Sequence, residues 1–212
     1  VKKIGEERSL AWSHASLAAI KYAEESYRLV SKLMNEYVLN EHRRFLGVEV
    51  GIETGSPRLA RKIMVAKSLP YPPEQWPDVV EDAFRIMHEN MIIPAATVIL
   101  GLPEETPDDV VKTIELVERL RPYRSLIVPM FFVPMGALKK NKWFLRDNLR
   151  PEHVEAIMKM YEHARRWVPD IMKIYMKSPV YVPVKFLLKY FLWYVDRKVE
   201  KMRHKLEEMI KK

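Results

Sequence analysis

The run ATVILGLPEETPDDVV, residues 96–111, passes from strand to turn to helix without a spacer. Its opening, ATVILGL (96–102), is continuously apolar, as in a strand buried on both faces. PEETPDD then supplies a turn and a helix start. Thr106 suits an N-cap, Pro107 suits the first helical position, and Asp108 and Asp109 complement the positive end of the helix dipole. Val110, Ile114, Val117 and Arg121 step along the helix that follows, with Val111 and Leu120 widening its apolar face.

The same grammar recurs on both sides. GVEVGI (47–52) is β-rich and ends in TGSP, where Ser56 suits an N-cap and Pro57 the first helical position of a short helix to about Met64. SLIVPMFFVP (125–134) reads as a strand ended by MGA (135–137), and SLAWS (9–13) as a shorter one. Helices are expected over 19–39 and through VVEDAFRIMHEN, separated from the preceding strand–helix unit by the proline-broken LPYPPEQWP (69–77). Repeated strand–turn–helix units with apolar strands predict an α/β fold with a parallel sheet. From Arg150 onward only helices are expected, so the chain is divided into an α/β domain, 1–149, and a helical extension, 150–212.

The last helix has a clear register. Leu188, Leu192, Val195, Val199, Met202, Leu206 and Met209 repeat at alternating spacings of four and three, an a/d stripe. Its first half, FLLKYFLWYV, is apolar almost all round, so a cover is expected. The body of the protein is the first candidate, and a second copy or a partner helix are the alternatives. A membrane surface is the poorer match, because an interfacial helix keeps a broad polar face.

Composition bounds the function classes. With no cysteine, these 212 residues hold no disulfide, thiolate zinc site, cysteine nucleophile or cysteine-ligated iron–sulfur cluster. The first twenty residues lack a charged region followed by an apolar one, and no run is long and apolar enough to span a bilayer, so a cytoplasmic protein without a transmembrane segment is expected. A single glutamine, Gln75, beside abundant Lys, Arg and Glu leans toward a thermophile composition. The net charge is +8, concentrated in 139–150 and 196–212. Nucleic-acid binding is compatible with that charge, but neither run has the aromatic–glycine pattern of an RNA-binding sheet, and solvated faces explain both.

In parallel α/β folds, ligands meet the carboxyl ends of strands. The polar residues gather there: His14 and Ser16 after the first strand, Glu53, Thr54 and Ser56 after the second, Gly101, Glu104, Glu105 and Thr106 after the third, and Met135 and Gly136 after the fourth. Helix capping alone accounts for Glu105 and Thr106. Glu53 is different, because a carboxylate at a buried strand end costs several kcal/mol unless it is paired. It is expected to have a specific partner. No second His lies at metal-ligand spacing from His14, so no metal ligands are assigned.

These residues carry a resemblance. GVEVGIETGSPRLARKIM resembles the G-I-E-S/T-G-S segment that ends the fourth strand of the partial (β/α)6 barrel in the radical S-adenosylmethionine superfamily. VILGLPEET (98–106) resembles the GLPGET segment that ends its fifth strand. The likeness covers residues 9–137 and is best from 47 to 137, and it is greatest for the group often fused to a cobalamin-binding domain.

The resemblance implies a partial (β/α) barrel of about four parallel strands with flanking helices. It implies S-adenosylmethionine as cofactor. Glu53 would contact its methionyl amine or ribose, Thr54 and Ser56 would shape that pocket, Gly101 and Leu102 would let backbone approach adenine and ribose, and Glu105 and Thr106 would fix the turn. Thr97, Ile99, Gly101 and Glu104 partly follow the family's GxIxGxxE pattern, with Thr97 replacing its first Gly and Glu104 replacing the second Gly of GLPGET. The family's four-iron four-sulfur cluster hangs on CxxxCxxC, which is absent here. The chain therefore resembles the C-terminal half of such an enzyme, not expected to perform radical chemistry alone, and its catalytic residues are unassigned. The alternative is a non-catalytic half-barrel binding or scaffold protein. In either case the open inner face of half a barrel calls for a second copy or a companion polypeptide.

Overall fold

A computed structural model describes residues 12–41, 43–136, 139–140, 142–144 and 148–210, with side chains described as far as Lys201. Four strands form one all-parallel sheet in sequence order: β1 (His14–Ala15), β2 (Leu46–Glu53), β3 (Ile92–Leu100) and β4 (Leu126–Phe131). The chain is α/β, as the sequence predicts, and the sheet is open rather than closed into a barrel. Most of the strand expected at 9–13 lies outside the described residues. The pairing that is described sits one step later, with His14 opposite Glu49 and Ala15 opposite Val50.

Helices join the strands. Between β1 and β2 run α1 (Leu17–Tyr27) and α2 (Leu29–Leu33), followed by a π-turn at Met34–Val38. One helix was expected here over 19–39. Arg28 breaks it by adopting φ +51, and the Glu24 carboxylate accepts the Ser31 N–H at 2.9 Å, capping the restart. Between β2 and β3 lie α3 (Pro57–Ile63), α4 (Val65–Ser68) and α5 (Trp76–Glu89). Pro77 is tolerated in the first turn of α5, where its missing N–H costs nothing. Between β3 and β4 lies α6 (Pro107–Arg119), started by Thr106 with a reciprocal Thr106–Asp109 capping box.

Period-two burial governs the sheet. On β2, Leu46, Val48, Val50 and Ile52 are buried, and on β3 so are Ala96, Val98 and Leu100, in one core with Ile20, Phe84 and Leu116 of the surrounding helices. The opposite face is more open. Ile93 is buried there, Thr97 and Ile99 are half-buried, and Glu49, Val128 and Met130 are exposed. The continuous cover expected on both sides of 96–102 is therefore only partial on this face, where Ile99 packs against the cluster of Leu59, Leu102 and Phe132. At the β4 edge, Pro129 is opposite Val98, and the Phe132 N–H donates to the Leu100 carbonyl at 2.9 Å.

The remaining helices are α7 (Pro151–Tyr175) and α8 (Val182–Ile210). The chain forms two compact units that divide at Val168/Pro169, later than the boundary placed at 149/150 from the sequence. Ala156 and Met160 explain the difference, because both are fully buried in the core of the first unit. Pro169 lies inside α7 and lacks the N–H that would bond the Arg165 carbonyl, so the helical ladder is interrupted where the units part. Among the described residues no helix is long and apolar enough to cross a membrane.

Candidate functional site

At the end of β2 the register slips between Gly51, opposite Thr97, and Glu53, opposite Val98. Glu53 takes φ +62, a left-handed conformation uncommon for a side-chain-bearing residue. One of its carboxylate oxygens pairs with the Lys67 ammonium, and the Thr97 hydroxyl lies 3.5 Å from the other. This pair sits over Gly51: a Cβ there would fall 2.2 Å from Glu53 Oε1 and 2.4 Å from Lys67 Nζ. The missing side chain is therefore what makes room for the ion pair. Glu53 keeps 23% of its side chain exposed, on the open side of the sheet. Lower on that face, His14 Nε2 lies 3.0 Å from Glu49 Oε2, both largely exposed.

Thr54, Gly55 and Ser56 turn the other way, into the protein. Trp76 Nε1 donates to the carbonyls of Ile52 and Thr54, each at 3.1 Å. The Gly55 N–H donates to Thr113 Oγ1 at 2.9 Å, and that hydroxyl donates to the Asp109 carbonyl at 2.9 Å. Ser56 Oγ donates to Asp109 Oδ1 at 2.5 Å and accepts the Leu59 N–H at 3.3 Å, its N-cap bond. Arg58 Nε adds a bond to Oδ1 at 3.0 Å, and the Thr106 N–H and hydroxyl each reach Oδ2 at 2.7 Å. Burial pulls the Asp109 carboxyl upward, but Arg58, Ser56 and Thr106 outweigh it and hold the group well below the usual carboxylate range. This cluster ties the start of α3 to the start of α6.

At the end of β3, Gly101 adopts φ +78 and donates its N–H to Glu105 Oε1 at 2.8 Å. The same oxygen lies 2.7 Å from His153 Nε2, with both side chains buried. His153 Nδ1 accepts the Arg150 N–H at 3.1 Å, so the hydrogen toward Glu105 resides on Nε2. Phe144 stacks on Phe131 and meets His153 edge-on, at centroid distances of 5.7 and 5.0 Å. Its ring fills the space beside Gly101, where a Cβ would come within 2.1 Å of it. Leu102 packs with Leu59 and Phe132. Glu104 is exposed at φ +63 and pairs with Lys62, and its carbonyl accepts from Arg58 Nη2 at 2.7 Å.

The expected site residues thus fall into three groups. Glu53 faces the open sheet. Thr54 and Ser56 are held in the buried clamp. Gly101, Leu102 and Glu105 are covered by Phe144 and His153, with Glu104 at the rim. Sequence reasoning missed Lys67, Thr113, Phe144 and His153, and gave Asp109 only a dipole role. The Thr-x-x-Asp spacing of 106–109 could have revealed Asp109 as a capping-box partner, whereas nothing near Lys67 or His153 points to their partners.

Chemically, the open face offers a carboxylate that holds a primary ammonium. Among the described residues, no three His, Asp or Glu side chains converge to hold a metal ion. Neither a protein-family model nor a curated protein matches this chain.

Proposed function

We propose that the chain is the S-adenosylmethionine-binding half of a cytoplasmic enzyme of the radical S-adenosylmethionine type, inactive without a cluster-bearing companion. The observation that carries this reading is Glu53, a partly exposed carboxylate at a parallel strand end whose occupant is already a primary ammonium, that of Lys67. A methionyl amine is the same kind of cation. The turn after β3 adds support: Gly101 and Glu104, at the two glycine positions of the resembling motif, both have left-handed φ.

The fit to the cofactor is uneven. Glu53 suits its amine, while the Gly101 backbone, which would meet adenine and ribose, is covered by Phe144. Nucleoside binding therefore requires Phe144 to move. When bound at a reduced cluster, S-adenosylmethionine supplies radical chemistry; this chain's part is to hold the amine at Glu53.

Isothermal titration of the full chain with S-adenosylmethionine tests the reading. Binding is expected, weakened tenfold or more in Glu53→Ala and strengthened in Phe144→Ala. Absence of binding in both the parent chain and Phe144→Ala would overturn it.

A second reading is a non-catalytic half-barrel scaffold. It is favoured by Val128 and Met130, each nearly half exposed on the open side of the sheet, a face that a second copy or a partner chain would cover. Light scattering that finds an oligomer supports it, and a strict monomer without a companion chain counts against it.

A further inference from the structure

The a/d stripe on α8 is not its exposed side. Leu188, Leu192, Val195 and Val199 are only half-exposed. The exposed surface is a different, aromatic face: Phe186 at 69% and Phe191 at 55%, with Leu187, Tyr190, Trp193 and Tyr194 also open. The short turn before it, Pro179–Tyr181, leaves Val180 and Tyr181 exposed as well. At the helical period of 100° per residue, these six α8 residues span from Trp193 to Phe191, nearly half the circumference, and the exposed Val182 and Val184 extend the arc at its two ends. A coiled-coil seam is narrower and would use the a/d stripe.

We propose that this face of α8 docks on an anionic lipid bilayer, lying in its interfacial plane. Three observations select lipid over other occupants. The first is chemistry: Trp193, Tyr190 and Tyr194 combine apolar rings with polar tips, the side chains favoured at membrane–water interfaces. The second is charge. Between 177 and 201 the chain carries Lys177, Lys185, Lys189, Arg197, Lys198 and Lys201 against Asp196 and Glu200, a surplus suited to acidic headgroups. The third is arrangement. Arg197 lies over Trp193 at 4.6 Å and Lys198 over Tyr194 at 5.4 Å, so cations share the aromatic face one turn beyond the rings, where long side chains can reach from apolar depth to headgroups.

Lys185, Lys189 and Asp196 form a polar strip between the aromatic face and the leucine stripe. This strip borders the aromatic face on one side; on the other, Phe191 and Val184 meet the leucine stripe directly. The helix is not long and apolar enough to cross a bilayer, so the contact is one of lying on the surface. The proposal concerns the second compact unit alone and does not depend on the reading of Glu53.

The test is flotation of the full chain with vesicles of phosphatidylserine and phosphatidylcholine, and with vesicles of phosphatidylcholine alone. Binding to the acidic vesicles is expected, weakened by high salt and at least tenfold weaker on phosphatidylcholine. The double change Phe186→Ser/Trp193→Ser leaves the leucine stripe intact and is expected to abolish binding. Lys189→Glu/Lys198→Glu keeps every apolar residue and is expected to remove only the preference for acidic lipid. Circular dichroism reports whether each variant is folded. No binding to acidic vesicles, or binding unchanged in both variants, overturns the proposal. So does a dimer in light scattering that Phe186→Ser/Trp193→Ser dissociates without lipid binding in the parent chain, because a second copy would then be the occupant. RNA binding lost in Lys189→Glu/Lys198→Glu, with no vesicle binding, assigns the face to nucleic acid and equally overturns it.

Discussion

Ser56 and Asp109 are joined by a 2.5 Å hydrogen bond between the N-cap of α3 and the third residue of α6. Ser56 caps α3 while donating to the carboxylate that caps α6, so each helix start depends on the other. Both residues are almost fully buried. Replacing the carboxylate by an amide removes the counter-ion of Arg58 and sets an NH2 donor against the donors of Ser56 and Arg58 or of Thr106.

Asp109→Asn is expected to destabilise the protein by about 3 kcal/mol, and Ser56→Ala by about 1 kcal/mol. Urea unfolding measures both. The depressed carboxyl also sets an acid limit. Its folded pKa lies below the unfolded value, so the unfolded chain binds more protons and stability falls with pH. That contribution is complete above the ordinary aspartate range and is lost as pH drops below about 4. In Asp109→Asn this part of the acid sensitivity disappears.

His163 gives a second, separate pH window. It is buried, its Nε2 lies 2.8 Å from Ser125 Oγ, and its Nδ1 has no hydrogen-bond partner. Burial lowers its pKa to about 4, against a smaller opposing pull from the Ser125 backbone. The folded value is below the unfolded one, so the unfolded chain takes up the proton first. Stability is therefore complete above about pH 7 and falls between about 6.5 and 4, by roughly 2–3 kcal/mol. His163→Gln is expected to flatten the urea midpoint over that window, and proton NMR of the parent chain is expected to show no His163 titration near pH 6.5.

Two glycines separate space from backbone conformation. At Gly55 a Cβ would fall 2.6 Å from Thr113 Cα and 2.7 Å from the Lys112 carbonyl, both backbone atoms. Gly55→Ala must push α6 away from the turn, at an expected cost of about 3 kcal/mol. At Gly101 the obstacle is the Phe144 ring, and φ is +78. Gly101→Ala is expected to cost about 2 kcal/mol, and in a Phe144→Ala background only the backbone strain of about 1 kcal/mol should remain. A double-mutant cycle in urea checks this; purely additive effects would show that Phe144 does not close over Gly101.

The elements that were legible in the sequence are those with local causes. Ser56–Pro57 and Thr106–Pro107 mark two helix starts because cap and proline act within one turn. The apolar runs in β2, β3 and β4 announce the parallel sheet for the same reason. Arg28 was not legible, because its left-handed break depends on Glu24 reaching forward to Ser31. The site divides along the same line. Glu53 was singled out by its own oddity, and the expectation of a specific partner is met by Lys67. Which residue that partner would be, and that Thr54 and Ser56 would turn inward to Thr113 and Asp109, depends on contacts between distant segments. Periodicity carries no record of those.

Pro129 gives the sheet a direction of growth. Successive N–H groups along a strand point to opposite edges, and the Phe132 N–H points to β3. The donor that Pro129 lacks therefore belongs to the outer edge, not to the β3 ladder. An added strand would find a gap in the middle of β4's outer edge. His14 and Ala15, at the opposite edge, keep both donors. Strand addition is thus discouraged at the outer edge of β4, whereas among the described residues the outer edge of β1 carries no such gap and pairs with no further strand.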